Sequence, residues 1–235
     1  MTRITEAAII AGGLGTRLGP AAAHLPKALV DVAGEPFIFH QLRLLRRNGV
    51  ERAVICAGYR GDRIQAAVGD GAPHGLRVEY SFDGEPLLGT GGALKKALPI
   101  LGEAFFVLYG DSYLDCDYQA VADAFVDSGR KALITVFRND NRWGASNVEF
   151  ADGRIVRYDK KARTPAMRHI DYGLGIVTRA AFADVPADVR CDLADAYGQL
   201  LERDELAAYE VTSRFYEIGS PEGLAETRAL LAGRS

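Results

Sequence analysis

The chain has 235 residues, 48% of them hydrophobic and 25% charged, with a formal net charge of −3, the make-up of an ordinary globular protein. The slight acidity argues against the broad basic face of a nucleic-acid binder, and no apolar run is long enough to span a bilayer. Three cysteines, Cys56, Cys116 and Cys191, with no CxxC pair, no Cys/His cluster and no signal-peptide pattern, point to reduced thiols in a cytoplasm and away from zinc.

Taken in chain order, residues 7–11 (AAIIA) are a short apolar run stopped by Gly12 and Gly13, the mark of a buried parallel strand. Residues 37–48 carry apolar side chains at helical spacing, with Gly49 as a stop. A second buried strand is expected at 52–57, a short helix at 61–68, a third strand at 76–82, a helix at 90–98, and an apolar strand at 104–109 that runs into Gly110 and Asp111. This alternation implies βαβ units and a mostly parallel sheet with right-handed crossovers. Ligands of such sheets bind beyond the carboxyl ends of the strands, so the loops at Gly12 and Asp111 are expected to face one crevice.

The second half reads as a mixed extension of the same sheet. A helix at 118–128 precedes strands at 132–137, 147–150, 155–158 and 172–177, with Asp152-Gly153 as a hairpin turn. A helix at 192–203, a strand at 207–211 and a helix at 221–231 follow, the last with Ser220 as N-cap and Pro221 in its first turn. No repeat, low-complexity tract or linker interrupts the chain, and one α/β domain over 1–235 is the simplest organisation.

Three segments carry chemistry. GGLGTRL at 12–18, followed by Pro26-Lys27, combines glycines that let backbone amides approach phosphate with two cations suited to a triphosphate. Leu18 occupies the third-glycine place of a dinucleotide fingerprint, and no GK[ST] follows, so neither a dehydrogenase loop nor a Walker A loop fits. EPLLGTGGA at 85–93 is a small-residue loop entering a helix, which leaves space for base and sugar. Asp111, at the end of an apolar strand, is a carboxylate of the kind Mg²⁺ prefers.

Together these segments resemble the sugar-1-phosphate nucleotidylyltransferases, whose signature is GGxGTRL followed by PK. The resemblance extends over nearly the whole chain and implies a Rossmann-like three-layer α/β sandwich with a mostly parallel mixed sheet. It implies that Ala11, Gly12, Gly13, Gly15 and Thr16 wrap the nucleotide, with Glu85, Gly89 and Thr90 beside the base and sugar. Arg17 would hold the β- and γ-phosphates, Lys27 the reacting phosphates, and Asp111 the Mg²⁺ cofactor. Further on, FYEIGSPE at 215–222 is similar to the family's [WF]xDIGTPE, so Glu217 stands where the family's second metal carboxylate is Asp. Tyr158-Asp159-Lys160 is similar to xEK, whose Lys meets the sugar phosphate, and Asp171 stands in place of the Asn of INxG ahead of Gly173. Gly110, Asp159, Lys160, Asp171 and Gly173 are accordingly the expected sugar-phosphate contacts.

The implied reaction is direct in-line attack of a sugar 1-phosphate on a nucleoside triphosphate. The closest likeness is to heptose- and mannose-1-phosphate guanylyltransferases, with muramic-sugar uridylyltransferases also similar. GTP is slightly favoured as donor, with Glu85 or Asp83 accepting from guanine N1–H and the exocyclic amine. A UTP- or CTP-dependent enzyme acting on another phosphate and a non-catalytic nucleotide-sensing subunit stay open. Homo-oligomers are common in the family, but nothing in the sequence marks an interface.

Overall fold

The computed structural model describes residues 3–13 and 25–233. Gly15, Thr16 and Arg17 therefore lie outside the described residues, as do Leu14 and Leu18. The remaining elements follow the expected order closely.

The opening strand β1 (Glu6–Ile10) carries the alternation that organises the molecule. Ala7 and Ile9 face one core, Ala8 and Ile10 the other, as the two-residue period of a strand requires. The helices divide accordingly. α1 (Phe37–Arg47), α2 (Gly61–Val68) and α4 (Tyr118–Ser128) lie on the Ile9 side; α3 (Gly89–Ala97) and α5 (Leu193–Glu202) lie on the Ile10 side. With apolar side chains on both faces, the sheet forms the middle layer of three.

β4 (Arg52–Ala57) pairs parallel with β1 on one side and β5 (Arg77–Phe82) continues outward; β6 (Ala104–Tyr109) pairs parallel with β1 on the other side. The chain thus reverses its direction of growth between β5 and β6. The crevice at the carboxyl ends of β1 and β6 is the topological switch point at which such sheets bind ligands. Beyond β6 the sheet becomes mixed. β11 (His169–Thr178) is antiparallel to β6 and to β8 (Ala132–Arg138), and β12 (Leu206–Val211) is parallel to β8.

The β9 (Val148–Ala151) and β10 (Arg154–Tyr158) hairpin turns on Asp152 and Gly153, both at positive φ (51° and 75°), and joins the start of β11 at His169. β11 begins earlier than its apolar run suggests. Its pairing with β8 shifts between Asp171 and Gly175, and Gly173 there has φ +97°, so the strand bulges and re-aims the side chains at its start. The bulge breaks the alternation, which is why the expected strand starts only at residue 172.

Four short strands escaped the sequence. β2 (Asp31–Val32) and β3 (Glu35–Pro36) form a small hairpin over Ala33 and Gly34. β7 (Ser112–Tyr113) and β13 (Tyr216–Glu217) make a two-stranded antiparallel ladder. α6 (Pro221–Ala232) closes the described chain, and the Ser220 Oγ accepts from Gly223 N at 3.0 Å as the expected N-cap. A third apolar cluster, with Val32, Phe37, Tyr113, Ile218 and Leu231, fastens these pieces to α1. Among the described residues no helix is long and apolar enough to cross a membrane.

Candidate active site

The carboxyl ends of β1, β4 and β6 are packed without room for side chains. A methyl on Gly110 would lie 3.0 Å from the Ala11 Cβ, and one on Gly12 would lie 3.3 Å from Gly58 N. Gly110 N donates to Ile10 O at 2.9 Å, and Ala11 N to Cys56 O at 2.9 Å. Ala11, Gly12 and Gly110 are therefore brought together at the switch point, with exposed Gly13 following.

Asp111 sits just past β6, and two devices fix it. Gln41, on the apolar face of α1 and 1% exposed, donates from Nε2 to Tyr109 O (2.9 Å) and Ser112 O (2.7 Å), pinning the turn from below. The β7–β13 ladder pairs Ser112 with Glu217, and Ile218 N donates to Asp111 O at 2.9 Å. That ladder carries Glu217 to Asp111 from the far end of the chain. Lys27, in a single 3₁₀ turn over Lys27–Leu29, reaches Asp111 Oδ2 at 3.1 Å, with both side chains only partly exposed.

The convergence is tight. A methyl on Gly219 would lie 2.6 Å from Glu217 Oε2, 3.4 Å from Asp111 Oδ2 and 3.5 Å from Lys27 Nζ. Two carboxylates and one ammonium thus face one point, and glycine at 219 keeps it open. The longer Glu217 is accommodated because its oxygens fold back onto the start of α6, accepting from Gly219 N and Ser220 Oγ. The positive end of the helix dipole favours a carboxylate there. A methyl on Gly223 would overlap Glu217 Oε1, so a second glycine is part of the same accommodation.

At the nucleotide segment, the order of burial is the reverse of what the EPLLGTGGA resemblance emphasises. Glu85 is exposed, whereas Asp83 is 6% exposed beside Gly12, whose methyl would lie 3.4 Å from Asp83 Oδ2. That oxygen accepts from Leu88 N at 3.4 Å, while Oδ1 is buried with no partner among the described residues. Burial raises the Asp83 carboxyl above its usual range, opposed by the Leu88 amide and the nearby Lys96 charge.

The glycines that follow face protein. A methyl on Gly89 would lie 2.6 Å from Cys191 O, and one on Gly92 would lie 2.7 Å from Val189 O. Gly91 N donates to Cys191 O at 3.0 Å, and the Thr90 hydroxyl donates to Asp192 Oδ1 and accepts from Leu193 N. Residues 189–192 therefore lie across the start of α3, and the Thr90 hydroxyl joins the two helix starts.

Of the residues expected to meet the sugar phosphate, Lys160, Asp171 and Gly173 gather at the bulged start of β11. Lys160 Nζ is 3.9 Å from Asp171 Oδ2 and lies 5.6 Å from the Tyr109 ring centroid. Asp171 is held by Tyr158, Gly173 and Asn147. Asp159 turns away into its own loop and accepts from Lys161 N (2.8 Å) and Ala162 N (2.7 Å). Trp143 stacks with the Arg214 guanidinium at 4.4 Å and contacts Phe137.

Gln41 and Asn147 were not singled out in the sequence, nor was the 189–192 crossing, and Tyr158 entered only as the variable position ahead of Asp159-Lys160. Gln41 alone left a signal, a polar residue in the apolar stripe of a helix.

The profile of the Nucleotidyl transferase family matches residues 6–231. The chain is 28% identical over 222 residues to mannose-1-phosphate guanyltransferase beta-B of Xenopus laevis, covering 92% of this chain and 61% of that protein. It is 27% identical over 223 residues to the mannose-1-phosphate guanylyltransferase catalytic subunit beta of Drosophila melanogaster, covering 92% and 60%. The chain therefore spans about three fifths of the length of these curated relatives.

Among solved structures, HddC from Yersinia pseudotuberculosis complexed with GMP-PN superposes with a TM-score of 0.80 at 26% identity, covering 97% of this chain and all of that one. The inositol-1-phosphate CTP transferase from T. maritima shares the fold, with a TM-score of 0.78 at 20% identity over 96% of this chain and 95% of that one. With its mixed sheet, its switch-point crevice and a profile match from the first strand into the last helix, the chain belongs to the Nucleotidyl transferase family.

Proposed function

We propose that the protein is a sugar-1-phosphate nucleotidylyltransferase that transfers GMP from GTP to the phosphate of a hexose or heptose 1-phosphate and releases pyrophosphate. The observation that carries this reading is the convergence of Lys27, Asp111 and Glu217 on the space beside Gly219, at the switch point of the sheet. Such a group has no nucleophile of its own and needs none. The acceptor's phosphate oxygen forms the new bond to the α-phosphorus, and the bond to the β-phosphate oxygen breaks with its electron pair leaving on pyrophosphate. Catalysis is then positioning and offsetting of charge.

The residues present suit a divalent cation. Asp111 and Glu217 offer carboxylate oxygens to one shared space, a hard-oxygen set that fits Mg²⁺ with water and phosphate as further ligands. No group of three or more His, Cys, Asp and Glu side chains suited to a metal exists among the described residues, so the pair would act together with substrate oxygens. Held by Asp111 and Glu217, Mg²⁺ would supply charge to offset that on the phosphate oxygens. Lys27 does the same from the protein side, and Arg17 is assigned the departing pyrophosphate through the GGxGTRL resemblance. Lys160 would draw in the acceptor's phosphate.

The preference for GTP rests on Asp83. A buried carboxylate oxygen without a partner costs about 1–3 kcal/mol, and guanine, with N1–H and its exocyclic amine on one edge, donates twice to such a group. The name of the HddC complex, which carries a guanine nucleotide analogue, accords with this choice. A cytoplasmic setting is supported by three free cysteines.

The test is turnover with GTP, UTP, CTP, dTTP and ATP against glucose, mannose and heptose 1-phosphates, with products identified by mass spectrometry. A GDP-sugar as the main product supports the reading. UDP- or CDP-sugar as the main product moves Asp83 out of base recognition, and nucleotide binding without turnover favours a sensing subunit.

A further inference from the structure

The bulged start of β11 carries an arrangement that the sugar-phosphate reading leaves unexplained. Asp171 is nearly enclosed, its side chain 6% exposed, and its oxygens are already engaged. Oδ2 accepts from the Tyr158 hydroxyl at 2.9 Å and Oδ1 from Gly173 N at 3.0 Å. The backbone is held as well. Asn147 accepts from Asp171 N through Oδ1 (2.9 Å) and from Asp159 N through its carbonyl (3.0 Å), so one residue fastens both segments. A carboxylate bound in this way is poorly placed to take hydroxyls from a sugar.

What remains beside it is Lys160. Its ammonium lies 3.9 Å from Asp171 Oδ2, 5.6 Å from the Tyr109 ring centroid and 5.9 Å from that of Tyr158. A free lysine side chain samples many rotamers, and that freedom is lost when it is held on a ligand. A buried charge and two ring faces restrict it before any ligand arrives. Tyr158 itself is fixed by an edge contact to Tyr197 of α5 at 6.3 Å. Burial and the Asp171 charge both push the Tyr158 phenol well above its ordinary value, so it stays protonated and keeps donating to Asp171.

We propose that Tyr158 and Asp171 are positioning residues that hold the Lys160 ammonium where the acceptor's phosphate docks. This rests on the sugar-1-phosphate reading above. It explains why the place of a family Asn holds an acid here. An amide would satisfy Tyr158 but would not draw an ammonium, whereas the carboxylate does both.

The experiment is a double-mutant cycle on the full chain. Y158F, D171N, K160A, Y158F/K160A and D171N/K160A are compared by steady-state turnover with GTP and mannose 1-phosphate, and by calorimetric binding of mannose 1-phosphate with a non-hydrolysable GTP analogue. Y158F and D171N are each expected to raise the acceptor KM and Kd about tenfold, with KM for GTP and kcat within about twofold. K160A is expected to raise them about a hundredfold, and each double variant to match K160A alone, because residues that act through Lys160 have nothing left to act on. An unchanged acceptor KM in Y158F, or effects that add to K160A, overturns the proposal while leaving the nucleotidylyltransferase reading intact. A wild-type protein that neither binds nor turns over any sugar 1-phosphate overturns both. D171N keeps the shape of the site, so its cycle decides the matter if Y158F loses thermal stability.

Discussion

Lys27 and Asp111 form an ion pair at the switch point. If they act by offsetting charge at the reacting phosphates, K27A and D111N should each lower kcat by about 10²–10³, the cost of removing one preorganised electrostatic group. The thermal midpoints should move little, because the pair is partly exposed. Steady-state kinetics beside a thermal melt checks both.

Asp83 makes the opposite trade. Burial raises its carboxyl, so the ionised form is less favoured in the fold than in the unfolded chain. That penalty is absent below the ordinary carboxylate range and full above the raised value. D83N should therefore melt a few degrees higher than wild type at pH 7, with the gain shrinking as pH falls towards 4, while its KM for GTP rises about tenfold. Melts at the two pH values and GTP kinetics test this. Lys27, Asp111 and Glu217 were legible as residues because their motifs are contiguous. Asp83 was legible only as one of two acids, since burial is what separates it from exposed Glu85 and burial here depends on the approach of Gly12.

The long elements could be read from periodicity because each buries a face wide enough to impose one. α1 with its apolar stripe and β4 with its unbroken run fall where that signal puts them. The β7–β13 ladder could not be read, since two-residue strands carry no period and their register comes from pairing between distant segments. Yet that ladder brings Glu217 to Asp111, so the site's geometry was less legible than its membership. The GTGG segment shows a second limit. Its small residues were read as space for a ligand, whereas Gly89, Gly91 and Gly92 admit the backbone of 189–192. G92A should consequently cost about 1–3 kcal/mol and lower the thermal midpoint by several degrees, as overpacking does. A melt unchanged from wild type would show that 189–192 does not lie against α3.

The whole molecule is a sheet whose order of growth reverses at one crevice, and the residues named for chemistry stand around it: Ala11 and Gly12 after β1, Asp111 after β6, Asp171 on β11, and Glu217 brought in by the last ladder. The mixed, β11-centred half was legible as strands but not as a bulge, because the bulge depends on a shift in pairing with β8 that no local pattern encodes. If the crevice binds GTP with Mg²⁺, a hundredfold excess of GTP over its Kd should stabilise the fold by about 2.7 kcal/mol, seen as a rise in melting temperature that Mg²⁺ with UTP or CTP does not equal at the same concentrations.

Direct transfer of GMP is measured by pyrophosphate release in the presence of Mg²⁺, GTP and a sugar 1-phosphate, followed alongside the nucleotide product. Direct transfer requires pyrophosphate and GDP-sugar formed one for one, with neither appearing when the acceptor is omitted and both suppressed by D111N. Release of orthophosphate instead, pyrophosphate formed without an acceptor, or full activity in D111N would contradict it.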